Sequence, residues 1–373
     1  MLNAKGLMQR TVVTKLYPIV QFRLSPLPFK RDSESLVVEQ PKDCVEPEIE
    51  LPTGLEAKWL TTEASERFAD QVKCMVADVS STFQMTSEGC GGAYFLTTES
   101  TMSSSKKMNP MGIFKPRDEE YMARRTLEAL RERAAYLLDN AYGNFSGVPV
   151  TNLMVLNVNG EEKEGSMQRF VASQCSAEDM GTLKFAIPEV HKIGILDVRL
   201  FNTDRHAGNI LLSARPNDQT FAMTPIDHGF CLPSYKHLDG ATFDWLQWPQ
   251  AEFPFTCAEL DHIASLDEAR DAPCCECVTT MRVCTAVLKR GAEAGFSLFE
   301  IGSLLQRDGD FTSPSQLELV VAKAIAVVED MGMSEEKDGV AFFDAIVAES
   351  TRPTESMFEG QTKKKVRSIS CFS

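Results

Sequence analysis

No run of about 18 apolar residues occurs in the chain, so the sequence carries no signal for a transmembrane helix. Positive charge is also scarce. Lysine and arginine number 38 against 53 aspartates and glutamates, giving a net charge of −15. That balance excludes a protein that grips nucleic acid over its whole surface. It also disfavours non-specific docking on anionic membranes, except through a local basic patch. The 11 cysteines are odd in number and lack the spacing of a disulfide framework, so reduced thiols in the cytosol or nucleus are expected. Cys274 and Cys277 are spaced C-x-x-C, but the second pair of ligands that a structural zinc site needs is missing, and no metal is expected there. There is no internal repeat and no signal-peptide pattern. The first acidic residue is Asp32, preceded by Lys5, Arg10, Lys15, Arg23, Lys30 and Arg31. Such a leader suits an organelle transit peptide, a disordered tail or a lipid-seeking segment. Pro18, Pro26, Pro28 and the few serines count against transit. A cytoplasmic protein is expected, with peripheral membrane, nuclear and organelle placements left open.

What the chain does contain is organised. With 373 residues, 43% apolar and 24% charged, it has room for a large two-lobed globular unit. Residues 1–60 show charge and proline without a sustained period and are expected to be leader and linker. From Thr62 to Val79 apolar residues recur at helical spacing. Gly89, Gly91 and Gly92 then open "AYFLTT". After a polar turn, "MGIFKP" ends at Pro116, and the two runs predict a glycine-rich hairpin. "TLEALRERAAYLLDNAYGN" is an amphipathic helix. "VPVTNLMVLNV" reads as a strand, and "SMQRFV" as a short linking strand after Gly165. "IPEVHKIGILDVRLF" reads as a helix. "NILLSA" and "FAMTPIDHG" form a second hairpin around "RPNDQ". Beyond Pro249, helices are predicted around 257–266, 277–294, 298–307, 315–331 and 337–349. The order implies an α+β fold with two lobes, a strand-rich one over 61–164 and a helical one over 165–350, followed by a basic tail at 351–373. A ligand is expected in the cleft between them.

The polar residues fall in an order that phosphoryl transfer requires. That chemistry needs donors for a triphosphate, hard oxygen ligands for metal and a residue to orient the attacking hydroxyl. Gly89, Gly91 and Gly92 would let backbone N–H groups approach phosphates. Lys115 stands in an otherwise apolar strand, where an ammonium needs a partner. Glu128 and Glu132 share one face of the next helix, and either could supply it, with Glu132 the first choice. In "FNTDRHAGNILL", Asp204 and Asn209 are five positions apart, the interval at which kinase catalytic loops place a hydroxyl-orienting carboxylate and a metal-binding amide. His206 lies between them and could donate to the transferring group or take a proton. Asp227 in "PIDHGF" matches the second metal-binding aspartate.

The form "DRHAGN" with "IDHG" resembles the phosphatidylinositol 3-/4-kinase superfamily, and within it the gamma-type phosphatidylinositol 4-kinases. "GGAYFL", "FKPRDEE", "RERAAYLLD", "GVPVT", "GSMQRFV", "PIDHGFCLP" and "FDWLQWPQA" extend the likeness over roughly residues 85 to 330. The resemblance implies a two-lobed, protein-kinase-like fold and a kinase dependent on ATP and Mg²⁺, with Mn²⁺ as a substitute. It implies that Lys115 grips ATP and that Gln168 to Val171, including Phe170, form the hinge around adenine. It further implies catalysis by Asp204 and His206, metal at Asn209 and Asp227, and a bracing Arg205. Two features depart from the pattern. Residues 1–84 show no ubiquitin-like domain of the kind some gamma-type relatives carry. The segment after Asp227 has only Lys236 and His237 where kinases of phosphorylated inositides are basic. Three readings follow: phosphorylation of the 4-hydroxyl of phosphatidylinositol at a membrane, a Ser/Thr protein kinase acting on a protein substrate, or a nucleotide-binding scaffold. The last has no need of three metal-suited side chains. Lys363 to Arg367 in the tail could touch anionic lipid, although a solvated tail is the simpler expectation.

Overall fold

The computed structural model describes residues 62–78, 80–86, 92–98, 109–120, 127–215, 220–267, 275–307, 309 and 312–352. The leader, Gly89, Gly91 and the tail from residue 353 lie outside the described residues. The first helix, α1 (Glu63–Ala77), starts at Thr62. The Thr62 hydroxyl accepts from the Ser65 amide and the Ser65 hydroxyl accepts from the Thr62 amide, each at 3.0 Å, which satisfies two donors of the first turn. Its apolar face, Phe68, Val72 and Met75, packs on an antiparallel sheet.

That sheet contains β1 (Ser81–Met85), β2 (Tyr94–Thr98), β3 (Asn109–Pro116), β4 (Thr151–Val158) and β5 (Glu161–Arg169), in the spatial order β1-β2-β3-β5-β4. Leu96, Phe114, Met154, Leu156 and Met167 fill its core. The helix α2 (Glu128–Asn140) follows β3 in the chain. The boundary expected between 164 and 165 falls inside β5, which pairs with β3 and β4 as far as Arg169. Gly165 marks a close approach rather than a break. A Cβ there would lie 2.2 Å from the Lys115 carbonyl oxygen, so only glycine lets β5 lie against β3 at this point.

The second lobe begins with β6 (Cys175–Ser176), which pairs with β7 (Ile210–Ala214); β7 in turn pairs with β8 (Phe221–Pro225). Between them runs α3 (Ile187–Leu200), buried on most sides. Then come α4 (Cys257–Ser265), α5 (Glu276–Glu293), α6 (Leu298–Gly302), α7 (Gln316–Asp330) and α8 (Glu335–Asp338), and residues 340–352 are also helical. Trp245, Leu288, Leu298, Ile301 and Leu305 are among the residues of this lobe's core. A further cluster joins α2 to α3, α5 and the segment after β8, through Leu138, Leu196, Leu200, Cys231, Leu232, Val278 and Met281. Through it, α2 is fixed to the second lobe as well as lying beside the sheet. Among the described residues no helix is long and apolar enough to cross a membrane.

Candidate active site

Strand alternation places Phe114 in the core and turns Lys115 to the other face of β3, toward the second lobe. There its ammonium meets two carboxylates. Nζ lies 2.6 Å from Oε1 of Glu132 on α2 and 2.9 Å from Oδ1 of Asp227, two residues past β8. The Lys115–Asp227 pair therefore spans the two lobes. Burial would drive the lysine to lose its proton, but Glu132 and Asp227 outweigh it and hold the pKa above the ordinary lysine value. Burial would likewise raise Glu132. Lys115 and His228 together outweigh that and keep the carboxylate ionised well below the usual range; His228 Nδ1 lies 3.6 Å from its other oxygen. Of the two glutamates that share the helix face, the structure pairs Glu132 with Lys115. Glu128 instead sits beside Gly229, where a Cβ would come within 3.2 Å of it.

The loop between α3 and β7 is held from beneath. Arg205 is fully buried; its Nε donates to both oxygens of Asp197, at 3.0 and 3.1 Å. Nη1 donates to the carbonyls of Asn209 (2.6 Å) and Ile226 (2.8 Å), so one guanidinium ties this loop to the end of β8. Asp197 on α3, also fully buried, further accepts from Trp245 Nε1 (3.0 Å) and Asn202 Nδ2 (3.1 Å). Asp244 Oδ2 takes the Ala207 amide at 2.7 Å. The chain enters the loop through Phe201, which ends α3 in the left-handed region at φ +46.

Above this brace lie the predicted polar residues. Asn209 Nδ2 donates to the Asp204 carbonyl at 3.1 Å, which leaves Oδ1 as its outward acceptor. The Ile226 amide donates to the Asn209 carbonyl at 3.0 Å, and the next residue, Asp227, adopts φ +55. A left-handed aspartate there directs its side chain back toward Lys115. The Asp204 carboxyl is raised above its ordinary value by burial; nearby His206 opposes that shift and Asp227 adds to it. His206 is exposed, and its Nδ1 accepts from the Gly208 amide at 3.1 Å. With that nitrogen accepting, the neutral ring carries its proton on Nε2 and presents a donor outward.

Other predicted residues are placed differently. The Gly92 amide donates to the Glu119 carbonyl at 3.1 Å, and a Cβ there would overlap the Glu119 side chain. Its N–H is thus used within the protein and is not an open phosphate donor; the glycine serves a close backbone approach. Gln168 belongs to β5, and its amide reaches inward to Thr151 Oγ1 (3.0 Å) and Glu132 Oε2 (3.4 Å), so it supports the lysine's partner. Phe170 and Val171 lie past the strand, in the link between lobes, with the Phe170 amide bonded to the Met111 carbonyl at 3.0 Å. Lys236 is held by Glu276 (2.6 Å) and Glu335 (2.9 Å). Asp197 and Trp245 were not singled out by sequence reasoning. The available signal for the first was a carboxylate inside an apolar helical run. Among the described residues no group of three or more His, Cys, Asp or Glu side chains could hold a metal alone.

A lysine and a buried glutamate meet an aspartate across a cleft, beside an Asp-x₄-Asn loop. A family model, phosphatidylinositol 3- and 4-kinase, matches residues 102–301. The chain belongs to the phosphatidylinositol 3- and 4-kinase family. Lys115, Glu132, Asp204, Asn209 and Asp227 all fall within this family match. Within the family the similarity is to gamma-type members. The chain is 39% identical over 279 residues to phosphatidylinositol 4-kinase gamma 4 of Oryza sativa subsp. japonica, covering 64% of this chain and 48% of the relative. It is 37% identical over 284 residues to phosphatidylinositol 4-kinase gamma 4 of Arabidopsis thaliana, with 64% and 48% covered. It is 38% identical over 289 residues to Arabidopsis phosphatidylinositol 4-kinase gamma 8, with 64% and 52% covered. The chain spans about half the length of the curated relatives it matches.

Proposed function

We propose that the chain is an ATP- and Mg²⁺-dependent phosphotransferase that phosphorylates the inositol 4-hydroxyl of phosphatidylinositol at a membrane surface. The observation that carries this reading is the Lys115 ammonium held between Glu132 and Asp227, with the Asp204–Asn209 loop beside it. The similarity to gamma-type phosphatidylinositol 4-kinases supports the choice of acceptor.

The donor set fits Mg²⁺. Asn209 Oδ1 and the Asp227 carboxylate are hard oxygens, and their small number suits an ion that keeps waters and phosphate oxygens as ligands. Bound Mg²⁺ would neutralise charge on the phosphates of ATP. Lys115 holds a phosphate oxygen, and Glu132, held by Gln168, fixes the ammonium's position. Asp204 orients the acceptor hydroxyl and receives its proton; a carboxyl whose pKa is raised is the stronger acceptor. His206 Nε2 donates toward the transferring group. Arg205 and Asp197 touch neither substrate and position the loop.

Nucleotide binding can be tested without turnover. At ATP·Mg²⁺ 100-fold above its Kd, the chain should gain about 2.7 kcal/mol of stability, read as a raised Tm. Lys115→Ala and Asp227→Ala should each reduce that gain. A wild-type Tm that does not move in saturating ATP·Mg²⁺ would overturn the reading.

A further inference from the structure

Away from the site, at the start of α5, two half-buried thiols meet. Cys275 Sγ lies 3.4 Å from Cys277 Sγ, close to van der Waals contact for two sulfurs. Cys275 is the N-cap residue of α5, beside the orphan amides of the helix's first turn. Cys277 is packed against the cluster that joins α2 to the second lobe. Between the two cysteines stands Glu276, whose carboxylate holds Lys236 of the segment after Asp227 at 2.6 Å.

The Cys277 S–H above all, and with it the Val278 and Cys277 amides, lowers the Cys275 pKa to about 7, against burial and the charge of Glu276. Its neighbour Cys277 is pushed up, mainly by the Cys275 sulfur and by burial, while Arg131 on α2 opposes. One thiol of the pair is therefore poised as the nucleophile and the other as the resolving partner. The buried Cys231 and Cys284 differ: burial raises both.

We propose that Cys275 and Cys277 form a thiol oxidation site that a hydroperoxide converts to an intrachain disulfide. The Cys275 thiolate attacks the peroxide: an S–O bond forms, the O–O bond breaks, and hydroxide or alkoxide leaves and is protonated. The peroxide is reduced and Cys275 becomes a sulfenic acid. The Cys277 sulfur then attacks Cys275, an S–S bond forms, and water departs with the Cys277 proton. The closing ring encloses Glu276 and so bears on its grip of Lys236.

The test uses the full chain and hydrogen peroxide at neutral pH, with peptide mapping by mass spectrometry. The expected product is a Cys275–Cys277 link that dithiothreitol reverses. Before oxidation, iodoacetamide at pH 7 should alkylate Cys275 faster than Cys277, whose pKa its neighbour and burial raise. In Cys277→Ser the sulfenic acid on Cys275 should persist and be captured by dimedone. In Cys275→Ser neither product should form. Amide exchange over residues 235–238 should rise on oxidation. Adducts on Cys74 or Cys257 with the pair still reduced, or a link made to Cys274 instead, would overturn the proposal. So would a Cys275–Cys277 disulfide that left exchange at 235–238 unchanged. The mapping of wild-type protein decides even if a variant fails to fold, and it is independent of whether the chain transfers phosphate.

Discussion

Asp204→Asn is expected to lower the phosphotransfer rate by about 10²–10⁴-fold, the usual worth of a positioned general base, with the Tm close to wild type. The fold should survive because the contacts that shape the loop here are backbone ones. The Asp204 amide donates to Asn202 Oδ1 at 2.9 Å, and its carbonyl accepts from Asn209 at 3.1 Å. The pH profile supplies a second readout. Burial raises the carboxyl above the ordinary value of 3.8, and only its ionised form accepts a proton. The wild-type rate should therefore fall as pH drops through that raised pKa, on an acid limb placed above the ordinary aspartate range. The residual activity of the variant should lack this limb. A variant within threefold of wild type would mean that Asp204 does not receive the proton.

Asp197→Ala should give the largest loss of stability. It removes the acceptor for Arg205 Nε, Trp245 Nε1 and Asn202 Nδ2 at once, all within the core. The Arg205 guanidinium would stay buried with only carbonyl oxygens for company. Breaking one side of a buried pair costs about 3–5 kcal/mol, because the remaining charge is not compensated. At about 2–4 °C per kcal/mol for a unit of this size, the Tm should drop by roughly 6–20 °C. Transfer should fall too, since Arg205 also holds the Asn209 and Ile226 carbonyls that set Asn209 and Asp227 in place. Thermal unfolding with the rate measured at low temperature separates the two effects. A loss under about 1 kcal/mol would show that the brace does not hold the loop.

The site was legible where chemistry crowds the sequence. Lys115 inside an apolar strand and the cluster from Asp204 to Asn209 stand out because such side chains are costly there without partners. The choice between Glu128 and Glu132 was not fixed by spacing, since both share a face. It is set by how α2 starts, at Leu127 with φ +55, and by its packing on the second lobe. The brace stayed hidden because Asp197 and Trp245 meet only through tertiary packing, 48 positions apart. In the first lobe, β1 escaped notice because "STFQM" is a partly exposed edge strand with little apolar alternation. The charged start of β5, "EEKE", hid half a strand. Yet Asn159–Gly160, both at positive φ, form a two-residue hairpin turn between Val158 and Glu161, and that dipeptide was a readable sign. Of the glycine run only Gly92 lies among the described residues, and its amide donates to the Glu119 carbonyl.

The most direct measurement supplies γ-labelled ATP and Mg²⁺ to the full chain with phosphatidylinositol vesicles and a generic protein substrate in one tube. Label should appear on the lipid, as the 4-phosphate after headgroup analysis, and should vanish in Asp227→Ala. Label confined to the protein substrate and lost in the same variant would contradict the account.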